Sequence, residues 1–212
     1  DLTGINIEKI HVVRACTNID KFKNIQNRRK KYNLLSVGRL VEKKGFMYSI
    51  LAIKKILTEF PNINYRIVGD GPLKANLFNL AISLEVDSLI SFHGNEHPNI
   101  IPNLLNQSDI FILTSRHESF GVVYIEALAS GLPVIATKNG GAEEILTHEY
   151  LGDLIDNNDL DILVNSIESM LVRYKNYKPI ELHKYVRNTF GGEVVANSIY
   201  NIYLKYQNEE SQ

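Results

Sequence analysis

Two carboxylates, Glu118 and Glu126, stand eight positions apart with Ser119-Phe120-Gly121 between them. The run before them, Asp109-Ile110-Phe111-Ile112-Leu113, is short, apolar and β-branched, and breaks into the polar Thr114-Ser115-Arg116-His117. That pattern predicts a buried strand ending in a loop that carries Glu118. From Gly121 apolar residues recur at helical spacing until Gly131-Leu132-Pro133 ends the pattern, so Glu126 falls in the second turn of a helix. The backbone N–H groups of Phe120, Gly121 and Val122 would then point out of the helix start, where unsatisfied donors and the macrodipole favour a phosphate. Gly121 lets an anion come close to the backbone. Taken singly, Glu118 is explained as a neighbour of the helix start and Glu126 as a solvated helix residue. Only the combination points to a ligand site.

The elements that must position this segment follow from the rest of the pattern. From about residue 32, short apolar runs alternate with longer amphipathic ones, which predicts a parallel sheet covered by helices. Strands are expected at 33–37, 64–68, 89–92, 109–113 and 133–136, with a sixth near 150–154. Phe46, Ile50, Ile53, Leu57 and Phe60 step by four and three, which predicts a helix over 45–60 ended by Pro61. Further helices are expected over 72–84 and 97–107, and 160–174, 179–190 and 193–206 read as a strandless helical tail that closes the core. The expected fold class is α/β: a Rossmann-like three-layer α/β/α domain with a parallel sheet over 33–190, followed by a C-terminal helix within 191–212. Residues 1–32 crowd Lys21, Lys23, Arg28, Arg29, Lys30 and Lys31 together with few apolar partners. They read as a solvated linker in preference to a membrane-surface patch.

Composition narrows the partners. With 212 residues, 44% hydrophobic and 22% charged, the chain can bury a full core. A formal net charge of −1 lacks the basic footprint of a nucleic-acid binder. The single cysteine, Cys16, forms no internal disulfide, and no Cys/His ligand set is present, which fits a reducing cytoplasm. No apolar run approaches membrane-spanning length. The chain starts at Asp1 without an initiator methionine, and is expected to be cut from a longer polypeptide.

Open parallel sheets take ligands at the carboxyl ends of their strands, so the residues that follow each expected strand matter most. After the first comes Gly38-Arg39-Leu40-Val41-Glu42-Lys43-Lys44-Gly45, a glycine and two cations that could clamp a diphosphate or serve as plain surface charges. After the second comes Gly69-Asp70-Gly71-Pro72, a glycine turn that lacks the dinucleotide G-x-G-x-x-G because position 74 is Lys. The third ends Ser91-Phe92-His93-Gly94. His93 and His97 lie four apart without further ligands, so no metal site is expected. After the fifth, Gly140-Gly141-Ala142-Glu143-Glu144-Ile145 reads as a glycine pair opening a helix with an acidic first turn, which needs no ligand.

Over about residues 10–145 these stretches resemble the donor half of a retaining glycosyltransferase of the GT-B fold, the group called glycosyltransferase family 4 or group 1. Residues 38–45 are similar to its G-R-L-x-x-x-K-G pattern, 69–72 to its G-x-G-P turn, 92–94 to its F-x-G segment, 118–126 to its E-x7-E segment and 140–145 to its G-G-x-x-E-I stretch. The resemblance implies the C-terminal, nucleotide-sugar-binding lobe of a two-lobe hexosyltransferase, inactive without its N-terminal lobe. It implies Arg39, Lys44 and Glu118 as catalytic residues, the two cations on the donor's phosphates and Glu118 on the donor sugar. It implies donor contacts from Gly38, Gly69, Gly71, His93, Ser119, Phe120, Gly121, Val122 and Glu126, with His93 at the base and Glu126 on the ribose hydroxyls. The donor would be a UDP-, GDP- or ADP-sugar, with no metal or other cofactor. The acceptor would be a glycan or lipid-linked glycan held by the other lobe, in polysaccharide or glycolipid assembly. The full enzyme would be cytoplasmic, at the inner membrane face when peripheral to it. Two positions depart from the family pattern: Thr17-Asn18-Ile19-Asp20 lacks the glycine of the usual N-G-[IV]-D turn, and Ser119 replaces a glycine. A nucleotide-sugar 2-epimerase-like enzyme and a non-catalytic nucleotide-binding module are the alternative readings.

Overall fold

The computed structural model describes residues 10–22, 32–156 and 159–209. Six strands form one sheet: β1 (Tyr32–Val37), β2 (Ile63–Val68), β3 (Ile90–Gly94), β4 (Ile110–Leu113), β5 (Val134–Thr137) and β6 (Gly152–Ile155). Their order is β3-β2-β1-β4-β5-β6 and every pairing is parallel. Parallel neighbours need crossover connections. These contain α1 (Phe46–Ile56), α2 (Lys74–Ser83), α3 (Ile101–Asn106), α4 (Val122–Ala129) and α5 (Gly141–Ile145). After β6 come α6 (Leu160–Arg173), α7 (Pro179–Phe190) and α8 (Gly192–Glu209). Contacts gather α1 with α2 and α6, and α4 with α3, α5 and α7, giving the two helical layers of the expected three-layer arrangement. Strands β4 and β5, covered on both faces, are buried at every position, whereas the edge strand β3 alternates.

Local departures have local causes. Helix α1 stops at Ile56 although the apolar rhythm runs on to Phe60. Pro61 disfavours the helical conformation in the residue before it, so Leu57 and Phe60 pack against the core from beyond the helix end. The expected sixth strand starts later, at Gly152, because residues 149–151 form a 3-10 turn. The helical tail divides. Helix α7 buries Leu182, Val186 and Phe190, but α8 buries none of its side chains among the described residues and leaves Tyr200 and Tyr203 exposed. It therefore does not close the core. The core also reaches back to Ile19 and Phe22, inside the stretch expected as linker; the cations Lys23, Arg28, Arg29, Lys30 and Lys31 lie outside the described residues. Among the described residues no helix is long and apolar enough to cross a membrane.

Two features set the geometry of the sheet's carboxyl edge. At the opposite edge, Asp109 accepts from the Asn33 backbone N–H at 2.8 Å and from its side-chain amide at 3.2 Å, while Asn33 O accepts from Asp109 N–H at 2.7 Å. This pins β1 to β4 at their amino ends, yet the ladder between them ends at Leu35–Phe111. Beyond it the buried Ser36 hydroxyl donates to the Ile112 carbonyl and accepts from the Tyr65 hydroxyl at 2.7 Å, and burial pushes the Tyr65 phenol up to about 12. Second, the loops after β1 and β2 lie backbone on backbone. Leu40 N–H donates to Asp70 O at 2.9 Å and Leu73 N–H to Leu40 O at 3.1 Å. Gly69, at φ +136°, faces the Gly38 carbonyl so closely that a Cβ would collide with it.

Gly69→Ala is expected to lose about 2–3 kcal/mol of unfolding free energy in a urea titration, from backbone strain and the clash. Gly192→Ala, whose Cβ would meet nothing within 4 Å, is expected to be neutral or slightly stabilising.

Candidate functional site

The order of the strands reverses between β1 and β4, and the loops leaving them turn to opposite faces of the sheet. Such a switch point leaves a crevice at the strands' carboxyl ends. After β1, Gly38 leads through Arg39 into a 3-10 turn over Glu42–Lys44. This turn is fastened to the loop after β4: Arg116 N–H donates to Lys43 O at 2.7 Å, and the Thr114 hydroxyl donates to Gly45 O at 2.8 Å. Lys44 Nζ thereby sits 2.5 Å from Glu118 Oε1. The same oxygen accepts from Ser115 Oγ at 2.6 Å, and Ser115 is fully buried. The side chains of Lys44 and Glu118 are only 16% and 12% exposed, so neither charge is adequately solvated without the other.

Glu118 is held by its backbone as well. Its N–H donates to Asn139 O at 3.1 Å, forming a one-residue parallel bridge to the loop after β5. Asn139 is itself immobilised, since its amide donates to the buried Tyr124 hydroxyl at 3.0 Å and its Oδ1 accepts from Ala142 N–H at 2.9 Å. The Glu143 carboxylate accepts from the N–H groups of Asn139 and Gly140 at 2.8 and 2.5 Å. That use occupies Glu143 in the turn, as the acidic first turn in the sequence led one to expect. Ser115, Tyr124 and Asn139 were not singled out from the sequence. The signal was there for two of them, because Ser115 and Asn139 are small polar residues directly after predicted strands.

Helix α4 begins beside this pair. Gly121 adopts φ +88° at its start, and a Cβ there would run into the Tyr124 ring. No side chain caps the helix and its first turn holds no acidic residue. Among the described residues, the N–H groups of Phe120, Gly121 and Val122 meet no backbone carbonyl. These donors are available to an anion. Ser119 is exposed, while the Phe120 ring packs edge-on against Phe190 at 5.9 Å and anchors the loop. One turn on, Glu126 is half-buried, and among the described residues its carboxylate makes no hydrogen bond or ion pair. Burial raises its pKa above the ordinary carboxylate value.

The remaining predicted residues divide between the crevice and its surroundings. Gly38 flanks the Lys44 stem: a Cβ there would lie 3.7 Å from Lys44 Cδ, an ordinary contact. Arg39 is exposed and has no side-chain partner among the described residues. Gly69 and Gly71 are both explained by close packing on the backbone of Gly38 and Leu40. Asp70 between them accepts from Gly71 N–H at 2.7 Å and pairs with Lys74 at 2.9 Å, which lowers its pKa. His93 lies exposed on edge strand β3, 3.2 Å from Ser91 Oγ and 3.9 Å from Glu96. Among the described residues no hydrogen bond or ion pair joins His93, Arg39 or Glu126 to the Lys44–Glu118 pair. Among the described residues no group of three or more His, Cys, Asp or Glu is placed to hold a metal ion. Cavities of about 360 Å³ beside Tyr150 and Tyr177 and about 440 Å³ beside Phe46 and Leu77 are not lined by Lys44, Glu118 or Glu126.

A family model described as glycosyl transferases group 1 matches residues 18–188. The chain is 29% identical over 193 residues to the N-acetyl-alpha-D-glucosaminyl L-malate synthase of Bacillus anthracis, covering 91% of this chain and 46% of the relative. It is 28% identical over 172 residues to the lipopolysaccharide core biosynthesis glycosyltransferase LpsE of Rhizobium meliloti, covering 81% and 48%. Among solved structures, Anabaena HepE in complex with UDP and glucose shares the fold with a TM-score of 0.82 at 21% identity, covering 95% of this chain and 59% of that one. The chain spans about half the length of the curated relatives it matches.

The unpaired Glu126 has a pH signature. Its folded pKa lies above the unfolded value of 4.5, so the folded state holds the proton more tightly, and its contribution to stability falls as pH rises from about 4.5 through the folded pKa. Glu126→Gln is therefore expected to melt about 2–4 °C above the parent at pH 8 and level with it at pH 4, by calorimetry at both pH values.

Proposed function

The chain belongs to the group 1 glycosyl transferases, and from that premise we propose that it is the donor-binding half of an enzyme that moves a sugar from a nucleoside-diphosphate sugar to a hydroxyl acceptor with retention of configuration. The observation that carries this reading is the convergence at the β1/β4 switch point of Lys44, Glu118 and the open N-terminus of α4, with the unpaired Glu126 one turn along the same helix.

Each group then has a task suited to its surroundings. Arg39, Lys44 and the N–H groups around Gly121 stabilise negative charge as it builds on the departing diphosphate. With these donors in place the reaction needs no metal ion. Glu126, desolvated and without a partner, accepts from the ribose hydroxyls, which satisfy a carboxylate that is otherwise costly to bury. Glu118 accepts from hydroxyls of the donor sugar. His93, with the loop glycines Gly69 and Gly71, borders the base. Ser119, Phe120, Gly121 and Val122 line the phosphate side, and Gly38 leaves room beside Lys44. The bond from the anomeric carbon to the diphosphate oxygen breaks as the acceptor oxygen attacks from the same face, and the acceptor proton passes to the leaving phosphate. The acceptor lies on the rest of the enzyme, since the chain spans about half the length of its relatives. The UDP bound by HepE and the lipopolysaccharide core role named for LpsE support a nucleoside-diphosphate-sugar donor and a place in polysaccharide or glycolipid assembly.

Calorimetric titration with UDP-, GDP- and ADP-sugars, with and without magnesium, tests this. One base class is expected to bind without magnesium, and Glu126→Ala to weaken it by about tenfold or more, the worth of a charged hydrogen bond. Strictly magnesium-dependent binding, or binding indifferent to Glu126→Ala, would overturn the assignment.

A further inference from the structure

The donor-lobe reading, on which this inference rests, requires that Lys44 and Glu118 bind different parts of one ligand. In the structure they bind each other. Lys44 Nζ and Ser115 Oγ both donate to Glu118 Oε1, at 2.5 and 2.6 Å. An ammonium neutralised at contact distance offers little to a phosphate, which must compete with a charge-assisted hydrogen bond already made. The carboxylate is equally occupied on the oxygen that its neighbours have engaged.

The two donors differ in their freedom to leave. Ser115 is fully buried at the end of β4, and its carbonyl is held by the Thr137 hydroxyl at 2.5 Å. Its short side chain also lies within reach of the buried Tyr124 hydroxyl, a second tie that keeps it in place once the backbone is fixed. Lys44 stands at the end of a surface turn on a four-carbon stem with three rotatable donors. Beside that stem lies Gly38, which presents no side chain against Cδ and Cε. The Glu118 backbone is held independently through Asn139, so losing the lysine does not release the loop.

We infer that donor binding is a partner exchange: the diphosphate draws Lys44 off Glu118, hydroxyls of the donor sugar take its place on the carboxylate, and Ser115 keeps that carboxylate aimed throughout. Lys44 is the exchangeable partner and Ser115 a positioning residue. The exchange ties recognition of the two halves of the donor together. A bare diphosphate breaks the ion pair and leaves Glu118 buried without replacement, whereas the intact donor restores both sets of contacts. After transfer the sugar hydroxyls are gone, Glu118 recaptures Lys44, and the product diphosphate loses one of its cations.

The experiment is calorimetry of UDP, GDP, ADP and inorganic pyrophosphate, and of the glucose conjugates of the three nucleotides, against the wild-type chain, Glu118→Gln, Ser115→Ala and Lys44→Ala, with thermal melts to verify folding. Glu118→Gln is expected to bind the bare diphosphate about five- to tenfold more tightly than wild type, because Lys44 is freed, and to lose the preference for the sugar conjugate. Ser115→Ala is expected to lower the ratio of conjugate to bare-diphosphate affinity, a ratio that a merely structural serine would not move. Lys44→Ala is expected to abolish the gain when combined with Glu118→Gln. Wild-type binding of diphosphate with no gain in folded Glu118→Gln, or an unchanged ratio in folded Ser115→Ala, overturns the exchange and leaves the donor-lobe reading standing. No binding of any nucleotide by wild type and Glu118→Gln alike overturns both.

Discussion

The strand-order reversal between β1 and β4 is the constraint on which the rest of the structure depends. Both strands are central, buried and pinned together at their amino ends by Asn33 and Asp109, but their ladder ends at Leu35–Phe111. Past that point the chain must hold two diverging loops in register without a β-ladder. It does so with two backbone-anchored hydrogen bonds, Arg116 to Lys43 and Thr114 to Gly45, and with one buried ion pair. A parallel sheet wound from its centre outward always opens in this way, and the charge pair occupies the opening.

Glu118 and Glu126 are chemically identical and physically opposite. The first has every neighbour a carboxylate needs: an ammonium, a hydroxyl, and a backbone clamp through Asn139 to the Tyr124 hydroxyl. The second is half-buried with none. A fold does not gain stability by desolvating an unpaired carboxylate, so Glu126 is a position where stability is given up. The open N-terminus of α4 follows the same logic, since a helix start with no capping side chain leaves donors free for a ligand.

Away from the crevice, polar groups serve the scaffold. Glu143 holds the turn into α5, and Gly69 and Gly71 let two loops lie backbone on backbone. Helix α8 departs from this economy. It leaves Ile199, Tyr200 and Tyr203 exposed and touches the rest of the domain chiefly through α7 and through the bond between Tyr206 and His11. Amphipathic periodicity showed that a helix would form there, but periodicity does not report what lies opposite the apolar face. The expectation that it closed the core failed for that reason.

The sequence by itself determined the α/β class, the six parallel strands to within a few residues, and the positions of Glu118, Gly121, Glu126, Arg39 and Lys44 at strand ends or on the helix that follows. These are legible because they depend on local periodicity and turn chemistry, which act within a few residues of chain. Only the tertiary structure decided how those residues are occupied. That Lys44 is neutralised by Glu118, that Asn139 fixes the loop from the end of the neighbouring strand, and that Glu126 is left without a partner among the described residues all depend on how segments separated by tens of residues are brought together. Electrostatic pairing and desolvation are set by distance in space, and the chain acquires those distances only when β1, β4 and β5 are brought side by side.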